Sequence, residues 1–159
     1  MGWDNMEDPV ERLELLFGLG LSFQLVLTEF VRRLDALGYE DLRPVHGYAF
    51  QALRWGGLTS TELAGRLGVT KQAAGQMIDE LERKGYVSRH PHPDGGRRRL
   101  VVLTDKAQRH LAVAGETLHA LERELGEKVD VPALRDQLAT LIKTLQDGKG
   151  PLPPLRPVW

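Results

Sequence analysis

Lys71, Gln72, Gly75, Gln76 and Asp79 recur at intervals that place them on one side of a helix. An ammonium and two carboxamides on one side supply donors and acceptors that match base edges and phosphate oxygens. Gly75, with Ala73 beside it, keeps that side low enough for the helix backbone to come close to a duplex. Thr70 stands where an N-cap belongs. Farther along, Arg97, Arg98 and Arg99 follow the turn-forming run His90-Pro91-His92-Pro93-Asp94-Gly95-Gly96. Guanidinium groups on a turn suit phosphates or a narrow minor groove. Lys84 and Arg89 add cations of the kind that contact a nucleic-acid backbone.

The elements around these residues have to hold them in place. Thr59-Ser60-Thr61-Glu62 has capping-box spacing. Leu63, Ala64 and Leu67 then form the buried side of a short helix, and Gly68 ends it. A second helix, roughly 70–84, turns Ala74, Met77, Ile78 and Leu81 inward, and Gly85 closes it. Two short helices joined by a tight glycine-containing turn make a helix-turn-helix. Tyr86-Val87-Ser88-Arg89 and Arg99-Leu100-Val101-Val102-Leu103 read as two strands with the arginine-loaded turn between them. The segment therefore reads as a winged helix-turn-helix. The plainer alternative is a helical hairpin with a solvated basic loop.

At this point the run resembles a known family. Glu62-Leu63-Ala64, Leu67-Gly68-Val69-Thr70-Lys71-Gln72, Leu81-Glu82-Arg83-Lys84-Gly85-Tyr86-Val87, Arg89, Asp94-Gly95-Gly96-Arg97-Arg98 and Leu103-Thr104 are similar to the MarR (multiple antibiotic resistance regulator) family over residues 59–110. The resemblance implies a homodimer on a pseudo-palindromic operator in double-stranded DNA, acting as a repressor released by a small, often phenolic, ligand. One departure stands out: Asp94 lies one residue farther from Thr104 than the family's usual spacing, so the tip is longer by one. In such regulators the ligand pocket lies where dimerisation helices meet the DNA module. Phe23, Phe30, His46, Phe50 and Arg54 are the matching candidates, against the alternative that they are ordinary core.

The overall charge of −1 hides an asymmetry. Residues 59–104 carry eight basic and five acidic side chains, a net +3, which leaves −4 elsewhere. Such a distribution orients an encounter with a polyanion. With no cysteine, disulfides, thiolate metal sites and thiol redox sensing are excluded, and a cytoplasmic location is compatible. The acidic N-terminus does not read as a signal peptide. The apolar run from Leu15 to Leu27, interrupted by glycines, Ser22 and Gln24, reads as too short for a membrane span. No nucleophile elbow, phosphate loop or catalytic cluster points to an enzyme or a cofactor. His90 and His92 form only a lone pair in the wing, a weak metal signal, so no metal site is assigned. His110 and His119 are expected on solvated faces.

The expected fold class is mainly α with a small β-hairpin wing. Its three regions are 1–43, an N-terminal dimerisation helix; 44–104, the winged helix-turn-helix; and 105–159, C-terminal dimerisation helices with a Pro-rich tail. The first helix is expected from Pro9 to about Leu37, apolar on more than one side, with Gly18 and Gly20 marking close packing, a bend or a break. Pro44 opens a helix over 44–55, Thr104 caps the next, and Gly126 or the Val131-Pro132 step divides it from a last helix at about 132–147. Trp3 tucks onto the body or is exposed. The tail from Gly148 is a loose end or an arm carrying Leu155 and Trp159. Two rival functions stay open: a winged-helix protein-interaction module without direct operator binding, and a helical enzyme subunit.

Overall fold

A computed structural model describes residues 9–153 and 155. The expectations for Trp3 and Trp159 lie outside the described residues. The chain divides into two compact units, Met1–Glu40 and Asp41–Trp159.

In the first unit a 3₁₀ turn, Pro9–Arg12, precedes helix α1, Leu15–Leu34, which continues into a π-helical turn, Asp35–Tyr39. The expected single helix from Pro9 is corrected here. Glu14 is extended (φ −59°, ψ 146°), which breaks the hydrogen-bond ladder, so α1 starts at Leu15. Gly38 ends the helical path at φ 93°, a left-handed value that glycine adopts at little cost. Gly18 and Gly20 sit inside an unbroken helix, with no atom of the described residues within 4 Å of where a Cβ would stand. Glu29 accepts from Arg32 at 2.7 Å and from Arg33 at 2.7 Å. Within Leu15–Tyr39 an 18-residue window has a mean hydropathy of 1.4 and no buried residue. By length and composition this helix could cross a membrane, so the expectation of too short a run is corrected. The glycines and Ser22 that interrupt the apolar run do not interrupt the helix.

The second unit holds α2, Pro44–Leu53; α3, Ser60–Leu67; α4, Lys71–Arg83; β1, Val87–Pro91; β2, Arg99–Leu103; α5, Asp105–Leu125; and α6, Val131–Gln146. Threonines start three of these helices. Glu62 N–H donates to Thr59 Oγ1 at 3.2 Å while Thr59 N–H donates to Glu62 Oε2 at 2.7 Å, a complete capping box for α3. Thr70 Oγ1 accepts from Ala73 N–H at 3.1 Å and Thr104 Oγ1 from Ala107 N–H at 3.4 Å. Each such cap contributes about 1 kcal/mol. Gly68 ends α3 at φ 66° and turns the chain into Thr70.

The core is built where α2, α3, α4 and the hairpin meet. Phe50, Leu63, Ile78, Leu81, Tyr86 and Val101 are essentially inaccessible, with Ala49, Leu53, Leu67, Met77 and Val87 around them. The first half of α5 joins this core through Ala107 and Leu111. Burying a side chain such as Leu81 or Ile78 contributes about 1.5–3 kcal/mol. His110 corrects the expectation of a solvated face: it is 5 % exposed, with its ring 5.4 Å from Phe50 and 6.2 Å from Tyr86. Position on α5 decides this, because His110 follows Ala107 on the inward side. His119 is exposed.

The two strands pair antiparallel, Val87 opposite Leu103 and Pro91 opposite Arg99. His90 and Pro91, expected in the turn, therefore belong to β1. Leu58 adds a bridge on the other edge of β2, donating to Val101 O at 3.1 Å and accepting from Val101 N–H at 2.8 Å. Gly57 lies against the same strand, where a Cβ would stand 2.8 Å from Val102 Cγ1 and 3.3 Å from Leu100 Cβ. In the C-terminal part, Asp130 Oδ1 caps α6 through Ala133 N–H at 3.0 Å, and Leu134, Leu138, Ile142 and Leu145 form an exposed apolar stripe. Gln146 Nε2 donates to Pro151 O at 3.0 Å, and Leu152 and Leu155 are exposed.

Gly57→Ala is expected to lower stability by about 1–3 kcal/mol through overpacking against β2. Urea denaturation with an unchanged m-value checks it, and an unchanged midpoint would mean that the loop before α3 yields without cost.

Candidate nucleic-acid interface

Helix α4 has two faces of opposite character. Ala74, Met77, Ile78 and Leu81 are buried, whereas Lys71, Gln72 and Gln76 are exposed on the other side. Gly75 lies on that outer side. A Cβ added there would meet nothing within 4 Å, so the described residues leave its backbone unobstructed. Thr70, the remaining candidate at this end, is exposed and caps the helix. The five residues are thus brought together at the N-terminal half of α4.

The hairpin tip is made by consecutive left-handed glycines, Gly95 at φ 76° and Gly96 at φ 79°. His92 N–H donates to Arg98 O at 3.2 Å and His92 Nδ1 accepts from Asp94 N–H at 3.1 Å, which fixes the ends of the tip. This gives a local account of the extra residue in the sequence: a second glycine is accommodated without strain. Arg97, Arg98 and Arg99 are all exposed. Arg98 lies 3.7 Å from Asp94 Oδ2, and Arg99 donates to Arg89 O at 3.3 Å. His90 pairs with Ser88 Oγ at 2.9 Å, so the two wing histidines have different partners. No group of three metal-ligating side chains occurs among the described residues.

Two of the expected backbone-contacting cations have partners within the protein. Arg89 bonds Asp79 at 2.5 Å and also Glu82, tying β1 to α4. Those carboxylates raise the Arg89 pKa, the Asp79 hydrogen bond foremost. Lys84 donates to Glu80 Oε1 at 2.8 Å and to the carbonyl of Asp41. Neither side chain projects from the surface in the manner of Arg97.

Glu80 also accepts from Arg43 at 2.5 Å and lies 3.5 Å from His46 Nε2. His46 is fully buried, and its Nδ1 accepts the backbone N–H of Arg43 at 3.0 Å. Lys84 and Arg43 together hold the Glu80 carboxyl down from 4.5 to about 2, against the opposing effect of its partial burial. Burial pushes the His46 pKa below its ordinary value, with Glu80 pulling the other way. Sequence reasoning missed Asp41, Arg43 and Glu80. An acidic residue on a helix expected to face DNA gives no local sign that distant cations converge on it.

The pocket candidates divide between the units. Phe23 and Phe30 lie on α1 in the first. His46, Phe50 and Arg54 belong to the second, where His46 and Phe50 are inaccessible and Arg54 is on the surface 5.2 Å from the Trp55 ring.

Known proteins share the module just described. Residues 41–98 match the family model described as "MarR family". The winged helix of this chain belongs to the MarR family. No curated protein matches the chain in sequence. Among solved structures, the transcriptional regulator BldR from Sulfolobus solfataricus is 27% identical, covering 87% of this chain and 99% of its own, with a TM-score of 0.62. CouR from Rhodococcus jostii bound to p-coumaroyl-CoA is 18% identical over 92% of this chain and 100% of its own, at 0.68. The transcriptional repressor CouR bound to a 23-mer DNA duplex is 24% identical over 83% and 92%, also at 0.68. The CouR likenesses establish the shared fold.

The ionic cluster predicts how this protein responds to acid. Glu80 has a folded pKa below its unfolded one, so its contribution is present above about pH 4.5 and is lost as pH falls toward 2. His46 is also depressed. The unfolded chain therefore takes up its proton first, and stability declines as pH falls below the unfolded value of about 6.5. Denaturation midpoints between pH 8 and 3 are expected to fall in two stages, with Glu80→Gln flattening the lower and His46→Gln the upper. A wild-type pH profile that both variants reproduce would rule this out.

Proposed function

We propose that the chain is a sequence-specific DNA-binding transcriptional regulator. The observation that carries this is α4 itself: a helix anchored by one buried face, with Lys71, Gln72 and Gln76 exposed on the other, beside an arginine-bearing hairpin. α4 enters a major groove, where Lys71, Gln72 and Gln76 discriminate bases. Arg97, Arg98 and Arg99 engage phosphates or the adjoining minor groove. Lys84 and Arg89 act mainly by fixing α4 and the wing, and Thr70 by capping.

The protein acts as a homodimer in the cytoplasm. The exposed apolar residues of α1 (Leu16, Phe17, Leu25) and the exposed apolar stripe of α6 (Leu138, Ile142, Leu145) support a partner of the same kind, with residues 1–43 and 105–159 supplying the dimer surface. Ion-paired Glu29, Arg32 and Arg33 favour a protein partner over lipid for α1. Two copies of α4 then meet half-sites about 10 bp apart on a pseudo-palindromic operator. The reading extends to a repressor released by a small aromatic or phenolic ligand, supported by the fold shared with a protein solved with p-coumaroyl-CoA. Phe23, Phe30, His46, Phe50 and Arg54 remain the proposed ligand-responsive set. A ligand releases DNA only by favouring a dimer geometry with the wrong half-site spacing.

Selection of duplexes from a random library, followed by anisotropy titration at several salt concentrations, tests the reading. Gln76→Ala is expected to relax one operator position at a cost of about 1–3 kcal/mol, whereas Arg98→Ala weakens all sequences and lowers the salt slope. Enrichment of no sequence would leave the protein-interaction reading in its place. Gly75→Ala separates folding from binding. It is expected to raise stability by up to about 1 kcal/mol through helix propensity and yet weaken operator binding by placing a methyl group against the duplex. A variant that is more stable and binds as well as the parent would remove Gly75 from the interface.

A further inference from the structure

Glu80 belongs to neither face of α4. It stands between the buried side, marked by Met77 and Leu81, and the exposed side, marked by Gln76 and Asp79. A carboxylate close to a surface meant for DNA repels phosphate, so its presence there requires some other account. The account is on its far side. Arg43 reaches Oε2 at 2.5 Å, Lys84 reaches Oε1 at 2.8 Å, and the buried His46 turns Nε2 toward it at 3.5 Å. His46 Nδ1 accepts the Arg43 backbone N–H at 3.0 Å, and Nε2 lies 3.2 Å from Arg43 Nη2 as well, so the ring is set against both the guanidinium and the carboxylate. Lys84 also donates to the Asp41 carbonyl, and Tyr86 Oη donates to Asp41 Oδ1 at 3.3 Å.

From this geometry we infer that Glu80 is the positioning residue of the reading helix. It is the anion that fastens the C-terminal end of α4 to Asp41–Arg43, where the chain enters its second unit. The inference rests on the groove reading of α4 given above. Without the carboxylate, the guanidinium of Arg43 and the ammonium of Lys84 repel each other and both swing outward. On the Arg43 side the end of α4 then has only its apolar contacts to set its rotation, with Arg89 still holding Asp79 and Glu82 on the other flank. Apolar contacts are non-directional, whereas reading a base edge needs placement within about 0.5 Å and 10–20°. Glu80 therefore acts on specificity, through Gln72 and Gln76, without touching DNA.

The two accounts of Glu80 predict opposite signs. As a mere surface carboxylate, its replacement in Glu80→Gln would tighten binding to every duplex. As the positioning residue, Glu80→Gln weakens binding to the selected operator by about tenfold, or roughly 1.4 kcal/mol, while a scrambled duplex of equal length is bound as well as before or better. Arg43→Gln, at an exposed side chain off α4, is expected to lower the operator-to-scrambled ratio similarly. The double variant is expected to lose no more of that ratio than either single one, since the contact is shared. Amide hydrogen exchange on the free protein adds a readout without DNA: Lys84 and Gly85 are expected to exchange faster in Glu80→Gln. A wild type that fails to prefer the selected operator would defeat the DNA reading itself. A wild type that prefers it, with Glu80→Gln keeping the full ratio or the two single losses adding in the double variant, would overturn the positioning role alone.

Discussion

The burial of Ala74, Met77, Ile78 and Leu81 determines which side of α4 is left over. A helix carries its side chains in all directions, so fixing one face in a packed core fixes the opposite face as well. Everything proposed for Lys71, Gln72, Gly75 and Gln76 follows from that constraint. The surrounding elements maintain it: α2 and α3 form the floor, the hairpin closes one side through Val87 and Val101, and α5 adds Ala107. A change that let α4 roll in this seat would disturb the outer surface without altering a single outer residue.

Electrostatic links supply the direction that apolar packing lacks. Arg89 joins the wing strand to Asp79 and Glu82, so α4 and the hairpin are held in one relation. At the other flank, Glu80 joins α4 to Arg43 and His46. The acidic residues on a helix proposed for a polyanion thus have cationic partners within the protein. The exposed tip, with Arg97, Arg98 and Arg99 around two left-handed glycines, stays available to an external anion. Thr104 ties these parts together by donating to the Gly85 carbonyl at 2.6 Å while capping α5.

Much of this is legible in the chain because it depends on neighbours a few residues apart. Capping by Thr59, Thr70 and Thr104, termination at Gly68 and the inward residues of α3 and α4 all follow from local spacing. The wing is legible for the same reason, although His90 and Pro91 read as turn until cross-strand pairing extends β1 through them. The start of α1 is hidden because an extended Glu14 leaves no mark in an amphipathic pattern. The burial of His110 is hidden too, since it depends on what packs over the ring, here Phe50 and Tyr86.

By itself, the amino-acid sequence determined the helix-turn-helix, the arginine-bearing hairpin and the two-faced character of α4, since each is a matter of periodicity and short-range hydrogen bonding. Tertiary structure alone decided that Lys84 and Arg89 are held by Glu80, Asp41, Asp79 and Glu82, and that Leu58 joins the edge of β2. It also decided that His46 and Phe50 are sealed in the core while Arg54 lies outside. The physical reason is range. A charge finds its partner by proximity in space, and Arg43 meets Glu80 only after α2 and α4 have packed into the same unit.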